Sequence, residues 1–200
     1  MEKNYHYRSA VGPPDKYDII GALQFCVLVN LGLREYHKLL DIGCGSLRGG
    51  RLFVPYLSKG HYFGLEPDSL LVRDGIKNEL GGSILIVKAP QFVYSEMFDL
   101  SFGDVTFDYV LAQSIFSHAS KRQIKKCLSE VRRVLAPGGK FIFTYFRGDA
   151  DYEGDTWAQQ PDARYTERWM RQVVKEHGLS YERLDYEHPS GQTWVLTEHR

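Results

Sequence analysis

Long apolar runs are missing from this sequence, and so is a basic N-terminal stretch leading into an apolar core. A membrane span needs about 20 consecutive apolar residues, and a secretory leader needs a charged start before an apolar centre, so neither is expected. Cysteine is scarce: Cys26, Cys44 and Cys127 are odd in number and lie far apart. That usage argues against a disulfide framework and suits a reducing compartment, so a soluble, cytoplasmic protein is expected. Net charge is absent too, with 25 Lys and Arg against 25 Asp and Glu. No long-range field draws in nucleic acid, and the cluster Lys121, Arg122, Lys125 and Lys126 reads as the solvated face of a helix. Internal repeats, low-complexity tracts and Pro- or Ser-rich linkers are also missing, which favours one continuous domain over residues 1–200.

What the chain does have is a 43% hydrophobic content, enough for one substantial core. Strand and helix signals alternate along it. Residues 38–42, 62–65, 92–98, 109–112 and 140–145 read as strands, with helices over 47–57, 68–80 and 121–135 between them. This is the pattern of a parallel sheet covered on both faces. The third strand competes with the equally apolar stretch 83–87. Before the first strand, residues 17–33 carry Ile19, Ile20, Leu23, Cys26, Val27 and Leu31 at a helical spacing that places them on one face, and Gly32 ends the helix. After Tyr145 come a polar loop, a helix over 165–177, and strands 181–187 and 193–198 joined by the turn Pro189-Ser190-Gly191.

The most informative stretch is Leu39-Leu40-Asp41-Ile42-Gly43-Cys44-Gly45-Ser46-Leu47-Arg48-Gly49-Gly50, a buried strand running into a glycine-rich turn and a helix. Gly43 and Gly45 permit backbone angles closed to other residues and let a ligand approach the main chain. The dinucleotide fingerprint wants a third glycine where this chain has Arg48, which weakens a nicotinamide reading. The run instead resembles motif I of class I S-adenosylmethionine-dependent methyltransferases. Three further segments follow in the order of that family: His61 to Pro67 with Glu66 at a strand end, Phe107 to His118, and Val131 to Phe143 with its Pro137-Gly138-Gly139 turn.

The resemblance implies an α/β fold, a doubly wound, mostly parallel seven-stranded sheet with a C-terminal antiparallel hairpin, of Rossmann-like type. It implies S-adenosylmethionine as cofactor. Asp41, Gly43, Cys44 and Gly45 would place its methionine half, and Glu66 would accept hydrogen bonds from the ribose hydroxyls. Gln113 would line the crevice near the sulfonium, and Phe98 and Asp99 would stand at the adenine. Residues 1–34 would form an N-terminal lid and helix, with Tyr17 aimed at the sulfonium to gain cation–π attraction. Cys44 reads as a small side chain in a tight space, with no activating base nearby in the sequence.

Methyl transfer is chiefly a matter of holding the acceptor in line, and a base is needed only where the acceptor must lose a proton. His118, a few residues past the fourth strand, is the candidate base, with orientation of the next helix as its alternative role. Tyr145, Arg147, Asp149, Trp157 and His188 are candidate acceptor contacts. Gln113-Ser114 offers no carboxylate for a catalytic cation, so no metal is expected. The same strand end lacks the Asn/Asp-Pro-Pro-aromatic motif of base amino-methylation. The expected activity is methyl transfer to an oxygen or nitrogen of a small molecule. RNA or protein methylation, or a non-catalytic S-adenosylmethionine-binding module, are the alternatives.

Overall fold

The computed structural model describes residues 6–158 and 163–200. They fall into two compact units, one running to Tyr94 and the other beginning at Ser95. In the first, two 3-10 turns (Ser9–Val11 and Pro14–Lys16) lead into α1 (Tyr17–Asn30), followed by β1 (Leu39–Ile42), α2 (Gly50–Tyr56), β2 (Tyr62–Leu65), α3 (Ser69–Gly75), α4 (Ile84–Val87) and β3 (Gln91–Val93). The apolar runs of β1 and β2 are buried along their whole length, as strands inside a parallel sheet must be. β2 pairs with β1 on one side and β3 on the other, both parallel.

Several expectations for this unit need correction. Of the expected strand 92–98 only residues 92 and 93 lie in β3, because β2 ends at Leu65 and the last bond across the pair runs from the Glu66 N–H to the Val93 carbonyl. Pro67 then turns the partner away, and a strand with nothing to pair does not persist. The competing stretch 83–87 forms the short helix α4 instead. The buried face of α1 is Tyr17, Ile20, Gly21, Gln24, Val27 and Leu28, while Ile19 is 62% exposed and Cys26 is exposed. At about 100° per residue Ile19 lies about 140° round the helix from Gln24, the middle of that stripe, and so faces away from it. The helix expected over 68–80 is α3 followed by a π-helical turn, Ile76–Leu80. Asp68 caps it by accepting from the Leu70 and Leu71 N–H groups.

The second unit contains β4 (Phe107–Ala112), α5 (Lys121–Val134), β5 (Leu135–Arg147), β6 (Arg164–Tyr165), α6 (Glu167–Glu176), β7 (Glu182–Leu184) and β8 (Thr193–Glu198). β4 and β5 run parallel, whereas β8 runs antiparallel to both β5 and β7, giving the expected C-terminal antiparallel pair. The seven expected strands are thus present, three in the first unit and four in the second. An eighth, β6, was not foreseen; it is a two-residue parallel addition to the end of β5, and it takes Tyr165 out of the expected helix. β7 is also shorter than the expected 181–187. The α5 N-terminus carries a reciprocal capping box between Ser120 and Gln123, which fixes where the loop after β4 ends. Burial of Ile124, Cys127, Leu128 and Val131 on one side of α5 leaves the basic residues outward.

Candidate active site

In the first unit the chain leaves β1 through Gly43 (φ 70°) and Gly45 (φ 54°), both left-handed. Such angles favour glycine, because a Cβ would crowd the neighbouring carbonyl. The Gly43 and Cys44 N–H groups both donate to the Leu65 carbonyl, at 2.7 and 3.1 Å. The Gly45 N–H instead donates to Glu66 Oε2 at 3.0 Å, and Glu66 Oε1 accepts from the Asp68 N–H at 3.2 Å. Each oxygen of Glu66 thereby takes one backbone bond. A carboxylate offers about four acceptor positions, so about two remain for hydroxyl donors of a ligand. Burial pushes the Glu66 carboxyl up, opposed by those backbone bonds.

Asp41 is 5% exposed and accepts the Tyr62 hydroxyl at 2.8 Å. Burial pushes its carboxyl up to about 6, against the opposing pull of the Tyr62 bond and the Arg48 charge. Arg48, also buried, is drawn down to about 10 by desolvation. Cys44 is buried, and burial pushes its thiol well above the ordinary range, which suits a small side chain in a tight space.

The segment ahead of α1 lies directly on this turn. A Cβ at Gly45 would come within 2.5 Å of Val11 Cγ1, and Arg48 Nη1 donates to the Val11 carbonyl. Further out, the Tyr7 hydroxyl and Arg8 Nε donate to Glu79 Oε1 at 2.7 and 2.9 Å. Tyr17 differs from expectation. Its hydroxyl donates to the Ser46 carbonyl at 3.0 Å, and the cations over its ring are the Arg8 and Arg51 guanidiniums, 4.6 and 5.6 Å from its centre. With the residue 1% exposed, the chain itself supplies the charge that the ring was expected to meet in a ligand.

In the second unit Gln113 and His118 stand on the loop that follows β4. Gln113 is buried, with its amide nitrogen 2.6 Å from Ser114 Oγ and 2.9 Å from His188 Nε2. Ser114 is held at φ 60°, unusual for a residue with a side chain, by its N–H to Thr144 Oγ1 at 2.8 Å. The Thr144 hydroxyl donates to Gln192 Oε1 at 2.6 Å, and Gln192 Nε2 donates to Ser114 Oγ at 2.6 Å. This buried ring of polar groups fixes the end of β4 to β5 and to the hairpin, and strain of this sort concentrates at functional sites. Sequence reading missed Ser114, Thr144 and Gln192. The signal for Thr144 was present as the one aliphatic hydroxyl in the apolar and aromatic run Phe141-Ile142-Phe143-Thr144-Tyr145.

His118 is half-buried, and its Nδ1 lies 3.0 Å from the Ala158 carbonyl. Burial draws its pKa down, with the carbonyl opposing. Its ring is parallel to that of Trp157, 3° apart in plane and 5.2 Å between centres. Of the remaining candidates, His188 is buried beside Gln113, whereas Arg147 is exposed and pairs with Glu167. Tyr145 turns into the core, its hydroxyl 3.1 Å from that of Tyr181. Phe98 is 6% exposed at φ 52°, and the exposed Asp99 accepts the Ser101 hydroxyl at 2.6 Å, the arrangement of a turn aspartate. Among the described residues no group of three or more His, Cys, Asp or Glu gathers as a metal site, and no helix is long and apolar enough to cross a membrane.

A glycine turn closing on a strand-end carboxylate, in an α/β fold with a C-terminal antiparallel pair, is the Rossmann-like arrangement seen in class I S-adenosylmethionine-dependent methyltransferases. Residues 40–141 match the family model described as a methyltransferase domain, and the chain belongs to that family. It is 31% identical over 156 residues to the sterol 24-C-methyltransferase ERG6B of Gibberella zeae, an alignment covering 76% of this chain and 39% of that protein. The chain spans less than two fifths of the length of the first curated relatives it matches. Among solved structures it is similar to the PH0226 protein of Pyrococcus horikoshii, with a TM-score of 0.71 at 16% identity over 99% of this chain and 97% of that one. It is also similar to the magnesium protoporphyrin IX methyltransferase of Synechocystis, solved with bound SAH, at a TM-score of 0.68 and 13% identity over 92% of this chain and 86% of that one.

Proposed function

We propose that this chain moves the methyl group of S-adenosylmethionine to an oxygen or nitrogen of a small-molecule acceptor, with His118 taking the acceptor's proton. When bound, the cofactor supplies a methyl on a positively charged sulfur. The turn fits such a ligand. Gly43 and Gly45 bring bare backbone to its surface, Glu66 keeps acceptor capacity for hydroxyls, and Asp41 stands beneath as a buried carboxyl. The segment 6–16, resting on the turn through Val11, serves as the lid.

The proton-transfer reading is carried by one contact. A carbonyl oxygen only accepts, so the 3.0 Å bond from His118 Nδ1 to Ala158 places the proton of the neutral ring on Nδ1 and leaves Nε2 as the basic nitrogen. A hydroxyl must lose its proton as the oxygen–methyl bond forms, and an ammonium must lose one before its nitrogen has a lone pair with which to attack. The neutral overall charge supports a small acceptor over nucleic acid.

A second reading, methylation at carbon, is favoured by the sterol C-methyltransferases among the relatives. There the same base would take the proton released after transfer. The experiment is a methylation panel of sterols, fatty acids, phenols and amines with His118→Gln beside the wild type, and the methylated atom located by NMR. Loss of about 10²- to 10⁴-fold in kcat with unchanged S-adenosylhomocysteine affinity is expected of a general base. Full rate in the variant would refute the role. Cofactor retention without turnover across the whole panel would favour a binding module.

A further inference from the structure

Ala158, Ala163 and Tyr165, residues between the end of β5 and the end of β6, grip the loop after β4 at three successive carbonyls. The Ala163 N–H donates to Ser117 O at 3.0 Å, the Ala158 N–H to His118 O at 2.7 Å, and the Tyr165 hydroxyl to Ala119 O at 2.6 Å. Lys121, one turn further on, pairs with Glu153 at 2.6 Å and Asp151 at 3.8 Å, the charged groups of the same stretch. At the centre of this grip, residues 118 and 158 exchange two bonds. The Ala158 N–H goes to the His118 carbonyl, and His118 Nδ1–H returns to the Ala158 carbonyl.

We propose that Trp157 is a positioning residue for His118, an indole shelf that holds the imidazole in its Nδ1–H tautomer and presents Nε2 as the base. This inference rests on the proton-acceptor reading of His118. The Ala158 carbonyl sets the tautomer, in the place a carboxylate takes in a catalytic triad. The indole sets the ring plane: a face 3° from parallel blocks the tilt that would break the Nδ1 bond, which a backbone carbonyl alone does not prevent. Trp157 is 42% exposed, more than a side chain kept for core packing needs. Once Nε2 gains a proton, the indole face lies against an imidazolium, a favourable cation–π arrangement.

The test needs no known acceptor. ¹⁵N-histidine-labelled protein in the wild-type, Trp157→Phe and Trp157→Ala forms is examined by long-range ¹H–¹⁵N correlation at a pH where the ring is neutral, with circular dichroism to confirm the fold. Wild type is expected in the Nδ1–H form. Trp157→Ala is expected to lower the Nδ1–H to Nε2–H ratio by about five-fold, the worth of one net hydrogen bond, and Trp157→Phe to restore most of it. An alanine variant with an unchanged tautomer ratio would overturn the positioning role alone, whereas an Nε2–H wild type would also remove the contact on which the proton-acceptor reading of His118 stands. Full methyl transfer by His118→Gln would overturn the base role and the shelf's purpose with it.

Discussion

Replacing Asp41 with Asn is expected to make the protein more stable at neutral pH while abolishing its hold on the cofactor. The Asp41 carboxyl is buried, and burial lifts it from an ordinary 3.8 to about 6. A carboxyl whose pKa is raised on folding favours the protonated folded state. Its contribution is therefore fully present below about pH 4 and is lost as the pH climbs through about 6. A shift of about two units corresponds to about 3 kcal/mol at pH 7 and above, carried as the cost of an ionised group away from water. Asparagine keeps an oxygen for the Tyr62 hydroxyl bond but brings an amide N–H₂ that needs partners, which returns about 1 kcal/mol. The net gain is about 2 kcal/mol, or a rise in Tm of about 4–8 °C for a chain of this length. Thermal and urea unfolding of both proteins from pH 4 to pH 8 reads it directly. At pH 4 the variant should be about 1 kcal/mol the less stable, the difference should change sign as the pH rises between 4 and 7, and it should level off at about 2 kcal/mol in the variant's favour above pH 7. A gap independent of pH, or a less stable variant at pH 8, would refute the reasoning that burial sets this carboxyl.

Two further changes probe the same turn. Gly45→Ala places a Cβ against Val11 at φ 54°, so it should cost about 1–3 kcal/mol of stability and weaken S-adenosylhomocysteine binding in calorimetry. Unchanged melting and affinity would mean that the turn has room to spare. Glu66→Ala removes the acceptor of the Gly45 N–H and with it the carboxylate proposed to receive the ribose hydroxyls, and adenosyl-ligand affinity should fall at least ten-fold with little change in fold by circular dichroism. Retained affinity would show that the hydroxyls are held elsewhere.

The legible part of the fold was the part governed by local chemistry. β1, β2 and β8 came out at or within one residue of their expected bounds, because uninterrupted apolar runs bounded by turn residues have few other ways to be satisfied. The third strand was misjudged because a strand's length is set by its partner, and the end of β2 at Leu65 is a fact about pairing rather than about residues 92–98. Likewise β6 exists only because the end of β5 was there to pair with.

At the candidate site, the glycine turn and the strand-end carboxylate Glu66 that closes on it could be picked out from residue type and order, since left-handed backbone favours glycine and a free backbone N–H needs an acceptor. Which groups meet could not. That Tyr17 spends its ring on Arg8 and Arg51, that Ser114 is pinned by Thr144 and Gln192, and that the Ala158 carbonyl meets His118 Nδ1 are contacts between residues 9 to 78 positions apart. Local sequence determined the kinds of chemistry this chain carries. Only the tertiary structure decided their partners, because hydrogen bonds and ring stacks depend on distances of a few ångströms that chain order does not encode.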